Sequence, residues 1–457
     1  MKTILAKFDN SFFVRNFLRT DALDTVLKNQ DTHLVLLVPP GKIEYYKKEF
    51  PNPKIFFDHL PNIKKFRTEM FFNFLERSSI HTHTVYMLLR SELEKTKSNL
   101  SPIRRFFIFG FGIFFWWLGK FKLWRSVVRT AYFLVPGNTF GYYFSKYKPD
   151  LVFCPYMVFS DYIFLKEAKK EGIKTLGMTL SWDNLYSKTF LLAHPDALIV
   201  QTDKIMEQAK DLGDYKHGKI FVAGIPQYDI HFKRHDIIGR EDFIKNLGGD
   251  PQKKLILYAF SGKAGLHIDF DIVKIIIDKI KSGEIKNAQL LLRPYPRTDF
   301  PADKLEKLKK EYGVLAAAPV AHIGGTGDNW EFDEKSISFL ARSLRYSDLV
   351  ITMYSTFFIE AAIYHKPLIG IAFDGGQKRG YWDSAKRLFD WNHLKDIKSL
   401  NGIWLVENQE ELVRVANTYL ENPEYMEEGR KKIVHQQVGF TDGRSGERVG
   451  KIILNLL

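Results

Sequence analysis

At 457 residues the chain exceeds what one ordinary core organises, so two domains are expected. A hydrophobic share of 45% supplies two sizeable cores, and a net charge of +14 calls for a negatively charged partner, either a phosphorylated ligand or an anionic membrane. An RNA-binding signature, zinc-finger spacing and a Lys/Arg tail are all missing, which excludes nucleic acid as the expected partner.

The chain opens on MKTILAKFDNSFF, a short apolar run that passes directly into polar residues, without the apolar core and cleavage site of a signal peptide. Residues 3–8 predict a strand, 12–29 a helix, 33–38 a strand ending at Pro39-Pro40-Gly41, and 54–57 a third strand. Residues 68–132 read as helical with interruptions. Within them 106–118, FFIFGFGIFFWWL, lies between Arg104 and Arg105 on one side and Lys120 and Lys122 on the other. A helix of that length does not cross about 30 Å of hydrocarbon. Further cations at Arg125 and Arg129 interrupt any longer span. Aromatic residues edged by basic ones suit a segment lying in a membrane interface, covering about 103–130; the alternative is a buried helix or an interdomain contact. Strands resume at 151–154, 175–179, 197–201 and 220–223, with a helix at 203–212. The lone cysteine, Cys154, lies in the first of these runs, excludes an intrachain disulfide and reads as a small buried hydrophobe in a reducing cytoplasm. Asp161 is placed to cap the helix that follows it.

Residues 226–251 are polar, with Gly239, Gly248 and Gly249, and read as a connector with one short helix. A second alternating series follows: strand 255–260, helix 270–281, strand 289–292, and helices 303–312 and 338–346. Then 347–373, SDLVITMYSTFFIEAAIYHKPLIGIAF, reads as strand, tight turn, helix and strand. Helices at 409–420 and 425–437 precede a short amphipathic helix at 443–457. Alternation of this kind predicts an α/β fold with two Rossmann-like domains, each a largely parallel sheet with helices on both faces, meeting near residue 235. Such sheets bind ligands at the carboxyl ends of their strands, so a cleft between the two halves is the expected site.

The segment 347–373 carries the strongest chemical signal. Tyr354, Ser355 and Thr356 sit where strand 349–352 hands over to a helix. Unpaired N–H groups and the helix dipole make such a turn a candidate phosphate cradle. Glu360 lies one turn further on, where a carboxylate accepts hydrogen bonds from a ribose diol. The same pattern fits any buried strand followed by an amphipathic helix. In the same half, Ser261, Gly262 and Lys263 follow a strand and offer small residues and a cation for a phosphate, though without P-loop spacing. Arg293 follows the next strand and either pairs a phosphate or holds a carboxylate at the sheet edge. In the first half, Asp183 within SWDNLYSK is a candidate base for an acceptor hydroxyl, or the acceptor of a turn or helix cap with Trp182 filling the core. Asp9, after the first strand, is a second candidate; His217 and His231 are weaker. The histidines are scattered, and His81 with His83 lacks a third ligand, so no metal site is expected. Asp-x-Asp strings of metal-bound nucleotide sugars and serine hydrolase elbows do not occur; Asp269-Phe270-Asp271 opens a helix and reads as a cap.

In its strings ALIVQT (197–202), KIFVAGIPQYD (219–229), 347–370 and GRSGERVGKI (443–452), the chain resembles GT-B glycosyltransferases, and among them bacterial enzymes of surface polysaccharide assembly, including the CDP-glycerol glycerophosphotransferases of teichoic-acid synthesis. The likeness covers most of 150–457, and the first 150 residues only in layout. It implies an acceptor domain at 1–235, a nucleotide-donor domain at 236–440, and a final helix, 441–457, crossing back to the first. It implies that Ser355 and Thr356 bind the donor diphosphate, that Glu360 binds its ribose, and that Gly262 and Lys263 line its pocket. The family's Trp-His-Gly string, with a lysine shortly after, corresponds to Trp182-Asp183-Asn184 and Lys188, so Asp183 stands where the family has its histidine base. A carboxylate there suits inverting sugar transfer. The expectation is a metal-independent enzyme without a bound cofactor, moving a sugar from a nucleotide-sugar donor to a lipid-linked or polysaccharide acceptor at the inner face of the cell membrane. The alternatives are a glycerophosphotransferase, a UDP-N-acetylglucosamine 2-epimerase, and a non-catalytic nucleotide-sugar binding protein.

Overall fold

The structure is a computed structural model that describes residues 1–63, 67–96, 98–216, 218–233, 238–262, 265–295, 301–316, 321–322 and 330–457. The chain divides into two compact units. One joins Met1–Asp229 to Val438–Leu457; the other comprises Ile230–His322 with 330–437. Each is built on a parallel sheet, so both are Rossmann-like.

The first unit holds seven parallel strands: β1 (Lys2–Lys7), β2 (Thr32–Val38), β3 (Ile55–His59), β4 (Leu151–Cys154), β5 (Lys174–Met178), β6 (Ala197–Val200) and β7 (Lys219–Val222), in the order β3-β2-β1-β4-β5-β6-β7. Strands covered on both faces need continuous apolar runs, and LVFC of β4 and ALIV of β6 are buried throughout, Cys154 included. The chain winds outward from β1 to β3, then restarts on the other side of β1 with β4. The carboxyl ends of β1 and β4 therefore form the sheet's topological switch point, where open α/β sheets bind ligands.

The helix expected over 12–29 divides at Thr20, whose hydroxyl accepts the Ala22 N–H and caps a new helix, Asp21–Lys28. That helix is the landing place of the chain's last one, Ser445–Asn455. Gly446 and Gly450 allow the approach: a side chain at Gly450 would meet Thr25 Cβ at 2.5 Å. Asp229 fastens the start of the last helix by accepting the N–H groups of Ser445 (3.0 Å) and Gly446 (2.7 Å).

Between β3 and β4 the chain forms the helices Arg67–Ser78, His83–Glu94, Pro102–Leu118, Lys122–Leu134 and Gly141–Tyr147. Buried polar contacts fix them to the sheet layer. Arg125 forms a fork with Asp214 at 2.7 and 2.6 Å, and Arg129 adds a third contact at 3.0 Å. Lys166 reaches Glu69 at 3.1 Å, and Thr189 donates to the wholly buried Glu76 at 2.5 Å. Thus Arg125 and Arg129 point inward, as do Trp116, which donates to the Thr82 carbonyl, and Arg105, which donates to the carbonyls of Glu92, Leu93 and Lys95.

The second unit holds β8 (Lys254–Ala259), β9 (Ala288–Arg293), β10 (Leu315–Ala316), β13 (Leu349–Thr352), β14 (Leu368–Ile371) and β15 (Trp404–Val406) in one parallel sheet, ordered β10-β9-β8-β13-β14-β15. A small antiparallel pair, β11 (Ala321–His322) and β12 (Trp330–Glu331), stands apart. The switch point here lies between β8 and β13. Arg430 is completely buried and donates to the carbonyls of His365, Pro423 and Tyr425, which ties the helix Glu427–Gln437 to the turn before β14.

Candidate functional site

Each sheet gathers polar side chains at its own switch point. In the second unit Ser261 and Gly262 follow β8, Arg293 ends β9, and Tyr354–Thr356 follow β13. Asp269 organises the first of these turns. It was expected to cap a helix, but the helix begins earlier, at Leu266, and places Asp269 inside its first turn. There its buried carboxylate accepts from the Ser261 N–H (2.9 Å), the Ser261 hydroxyl (2.5 Å) and the Tyr258 hydroxyl (2.7 Å). Burial pushes its pKa up to about 6, while the donors of Ser261 and Tyr258 act against that rise.

Tyr354 leans over the same turn. Burial raises its phenol to about 12, helped by the nearby Asp269 and Tyr295; Arg387 and the Ser261 hydroxyl oppose the rise. Its ring meets Trp391 edge-on at 6.1 Å. Ser355 Oγ accepts the Phe357 N–H at 3.2 Å, which caps the helix Phe357–Ile363 from two residues upstream. Ser355 and Thr356 are half-buried. Arg293 lies over the Phe357 ring, 4.4 Å from its centre, so the end of β9 and the turn after β13 adjoin. Gly262 faces Tyr295: a side chain added there would meet its ring at 3.9 Å. The structure therefore brings Gly262, Arg293, Tyr354, Ser355 and Thr356 to one set of neighbouring strand ends. Lys263 lies outside the described residues.

Glu360 takes a different position from its neighbours. It is only 2% exposed, and its Oε2 lies 3.3 Å from Nε2 of the buried His231, whose Nδ1 is 3.1 Å from the Tyr364 hydroxyl. The imidazole bridges the Glu360 carboxylate and the Tyr364 hydroxyl. His231 thus backs the carboxylate.

The sequence reading missed Arg387. The loop after β14 returns over the strand ends because Asp374 accepts the Ala385 N–H at 2.7 Å. This sets a short helix, Ala385–Asp390, beside Tyr354. Arg387 Nε and Nη1 and the Trp391 indole N–H are buried there without an acceptor among the described residues. An arginine so far along the chain from the helix Phe357–Ile363 has no motif to mark it; the loop geometry alone brings it in.

In the first unit the buried Lys7 ammonium sits at the carboxyl end of β1, 2.6 Å from Asp9, 2.9 Å from the Ser160 hydroxyl and 2.7 Å from Asp161. Burial disfavours its charge, but the two carboxylates more than compensate and raise its pKa above the ordinary lysine value. Asp161 was expected to cap its helix. It lies within the first turn of Phe159–Lys170 instead, accepting the Met157 N–H at 2.9 Å and pairing with Lys7. Asp183, after β5, lies 2.9 Å from Lys188, and its carbonyl accepts from Ser187. Burial opposes the charge on Lys188, and Asp183 and Tyr156 outweigh it. Tyr156, after β4, adjoins the Asp183–Lys188 pair: the Lys188 ammonium lies 5.7 Å from its ring centre, Asn184 donates to its carbonyl, and Phe13 packs on its ring at 5.3 Å. Asp9 and Asp183 remain 26% and 20% exposed at their side chains. His217 lies outside the described residues.

Among solved structures, the UDP-GlcNAc 2-epimerase of Methanocaldococcus jannaschii is similar in fold, with TM-score 0.54, 15% identity and full coverage of both chains. The Neisseria meningitidis UDP-GlcNAc 2-epimerase bound to UDP-GlcNAc gives TM-score 0.54 and 12% identity, again over all of both chains. The S. aureus MnaA-UDP co-structure gives 0.54 and 13%, covering 100% of this chain and 98% of the other. At such identities the likeness speaks for the fold, which is that of the GT-B class. No curated protein matches the chain. The family of CDP-glycerol:poly(glycerophosphate) glycerophosphotransferases matches residues 160–455, more than half of the sequence and parts of both units, and the chain belongs to that family of transferases.

Proposed function

We propose that the protein transfers a sugar from a nucleotide-diphosphate donor to a lipid-linked or polysaccharide acceptor of the cell envelope. The observation that carries this reading is the convergence of Arg293, Tyr354, Ser355, Thr356 and Arg387 at the β8–β13 switch point, where donors and cations lie together beside a helix start. The donor's diphosphate lies against this cluster, with Gly262 and Lys263 along its pocket. Glu360, positioned by His231, takes the ribose hydroxyls. Similar folds that carry UDP or UDP-GlcNAc support a nucleotide donor.

In the reaction the acceptor hydroxyl gives its proton to Asp183 while its oxygen bonds to the sugar's anomeric carbon. The bond from that carbon to the diphosphate oxygen breaks, and the nucleoside diphosphate leaves with the electron pair. Arg293, Arg387 and the turn's N–H groups stabilise the charge that gathers there. Lys188 holds the Asp183 carboxylate in place, and Asp9 is the second candidate base. The family match favours a second reading, glycerophosphate transfer, in which the same oxygen attacks phosphorus and a nucleoside monophosphate leaves. Purified enzyme given nucleotide sugars or CDP-glycerol separates the two by whether a diphosphate or a monophosphate is released. Under either reading Asp183→Asn abolishes turnover and leaves donor binding intact; retained turnover removes Asp183 as the base.

The acceptor is reached at a membrane. Among the described residues no single helix is long and apolar enough to cross one, although Pro102–Leu118 and Lys122–Leu134, bent by 111°, form an apolar pair. Phe106, Phe114, Trp117, Leu123 and Leu134 on this pair are all more than half exposed. Residues 95–149 contain ten lysines and arginines and no aspartate or glutamate. Aromatic side chains edged by cations are the composition of a surface that rests on anionic lipid.

A further inference from the structure

Beside those exposed aromatic side chains the first unit carries an apolar groove. The helices Arg67–Ser78 and Pro102–Leu118 diverge and leave a groove of about 520 Å³. Phe71 and Phe74 form one wall, Phe107 and Phe111 the other, and Phe115 lies at the base. The base is rigid: Phe115 meets Phe74 edge-on at 6.1 Å and stacks on Trp124 at 5.6 Å, and the Trp124 indole donates to Ser79 Oγ. The walls are solvent-facing, with Phe71 53% exposed and Phe111 58% exposed. Such a contiguous apolar concavity is costly in water and calls for an apolar occupant.

Charge at the groove narrows the choice of occupant. Arg104 lines its edge, is exposed, and enters no ion pair among the described residues. The other arginine beside it, Arg105, is spent on backbone carbonyls. No acidic residue occurs between 95 and 149, and the nearby Glu69, Glu92 and Glu94 are paired with Lys166, Lys95 and Arg90, so the exposed cation at the groove's edge is available to an anionic head group. A flat bilayer surface meets the exposed residues Phe106, Phe114 and Trp117, but it does not fill a trough between two helices.

We infer that this groove takes up one hydrocarbon chain of a lipid phosphate drawn from the bilayer, the chain lying between Phe71 and Phe111 and the phosphate resting on Arg104. The inference builds on the membrane reading above and adds a discrete lipid site to it. The site lies in residues outside the family match, which begins at 160.

The test uses the full chain and two probes. The first is 1-lauroyl lysophosphatidic acid below its micellar concentration, titrated by calorimetry. The second is sedimentation with vesicles of mixed phosphatidylglycerol and phosphatidylcholine. Saturable one-to-one binding of the monomeric lipid is expected, weakened about tenfold or more by Phe71→Ser, the loss of one large apolar contact, and also by Arg104→Gln. Vesicle binding is expected to survive Phe71→Ser, because the exposed Phe106, Phe114, Trp117, Leu123 and Leu134 are untouched. Phe71 and Arg104 are surface residues, so both variants fold; thermal melting verifies this. Monomer binding that is absent, unsaturable or indifferent to both variants overturns the groove while vesicle binding persists. Loss of vesicle binding in the unmodified protein, with monomer binding intact, overturns the membrane reading and leaves the groove.

Discussion

Arg387 presents Nε and Nη1 without an acceptor among the described residues, and buried N–H groups left unpaired are costly. Burial lowers its pKa while Tyr354 and Asp383 support its charge, which describes a cation waiting for an anion in a partly desolvated place. Arg387→Met is therefore expected to weaken pyrophosphate binding about tenfold or more, in line with a charge-assisted hydrogen bond, and to leave nucleoside binding unchanged. Calorimetry with both ligands checks this, and equal loss for the two contradicts it. Glu76 makes a separate prediction. Its burial pushes the carboxyl up to about 8 from an ordinary value of 4.5, against the pull of Thr189. Above pH 4.5 the unfolded chain gives up this proton while the folded one keeps it until about 8, so stability falls as pH rises through that window. Glu76→Gln, an isostere of the protonated form, is expected to flatten the decline, as read from denaturant unfolding between pH 5 and 8. The place of Ser355 and Thr356 before the helix Phe357–Ile363 was legible in the sequence because a strand-to-helix turn has its own composition, and that of Arg293 because it ends an apolar strand run. Arg387, Glu76 and Lys7 were not, because their roles depend on which distant residues surround them.

The last helix shows the same limit among elements. Its amphipathic pattern is plain in residues 443–457, and Ser445–Asn455 is helical as expected. Its target, the helix Asp21–Lys28, follows from Gly446 and Gly450, whose missing side chains permit contact with Ala22 and Thr25. Gly450→Leu places atoms where Thr25 already stands and is expected to cost about 1–3 kcal/mol, seen as a lower urea midpoint with an unchanged slope. An unaffected midpoint would show that the two helices have room to separate. The break at Thr20 escaped the sequence reading because its cap competes with an apolar pattern that continues through both helices. The aromatic segment was legible as a surface candidate from composition, yet Trp116 and Arg105, two of the residues that made it stand out, turn inward to bond Thr82 and the 92–95 carbonyls. Hydropathy records what a side chain is, and packing decides which way it faces.

For the whole molecule, alternation of strands and helices foretold two Rossmann-like units, and the sheet orders then locate a switch point in each. The second unit's switch point gathers cations and hydrogen-bond donors; the first gathers carboxylates held by lysines, Asp9 by Lys7 and Asp183 by Lys188. On the proposed function, donor binding and proton removal fall to different sheets. On the same proposal, the net charge of +14 serves both the phosphates and the membrane, so vesicle binding is expected to fall as salt rises. The most direct test of the account is calorimetric titration of CDP, UDP, GDP and dTDP into the full protein and into Thr356→Val and Arg293→Met. The account predicts that at least one nucleoside diphosphate binds, that its nucleoside binds far more weakly, and that both variants lose about tenfold or more in affinity for the diphosphate. Binding by none of the four, or affinity unchanged in both variants, would contradict it.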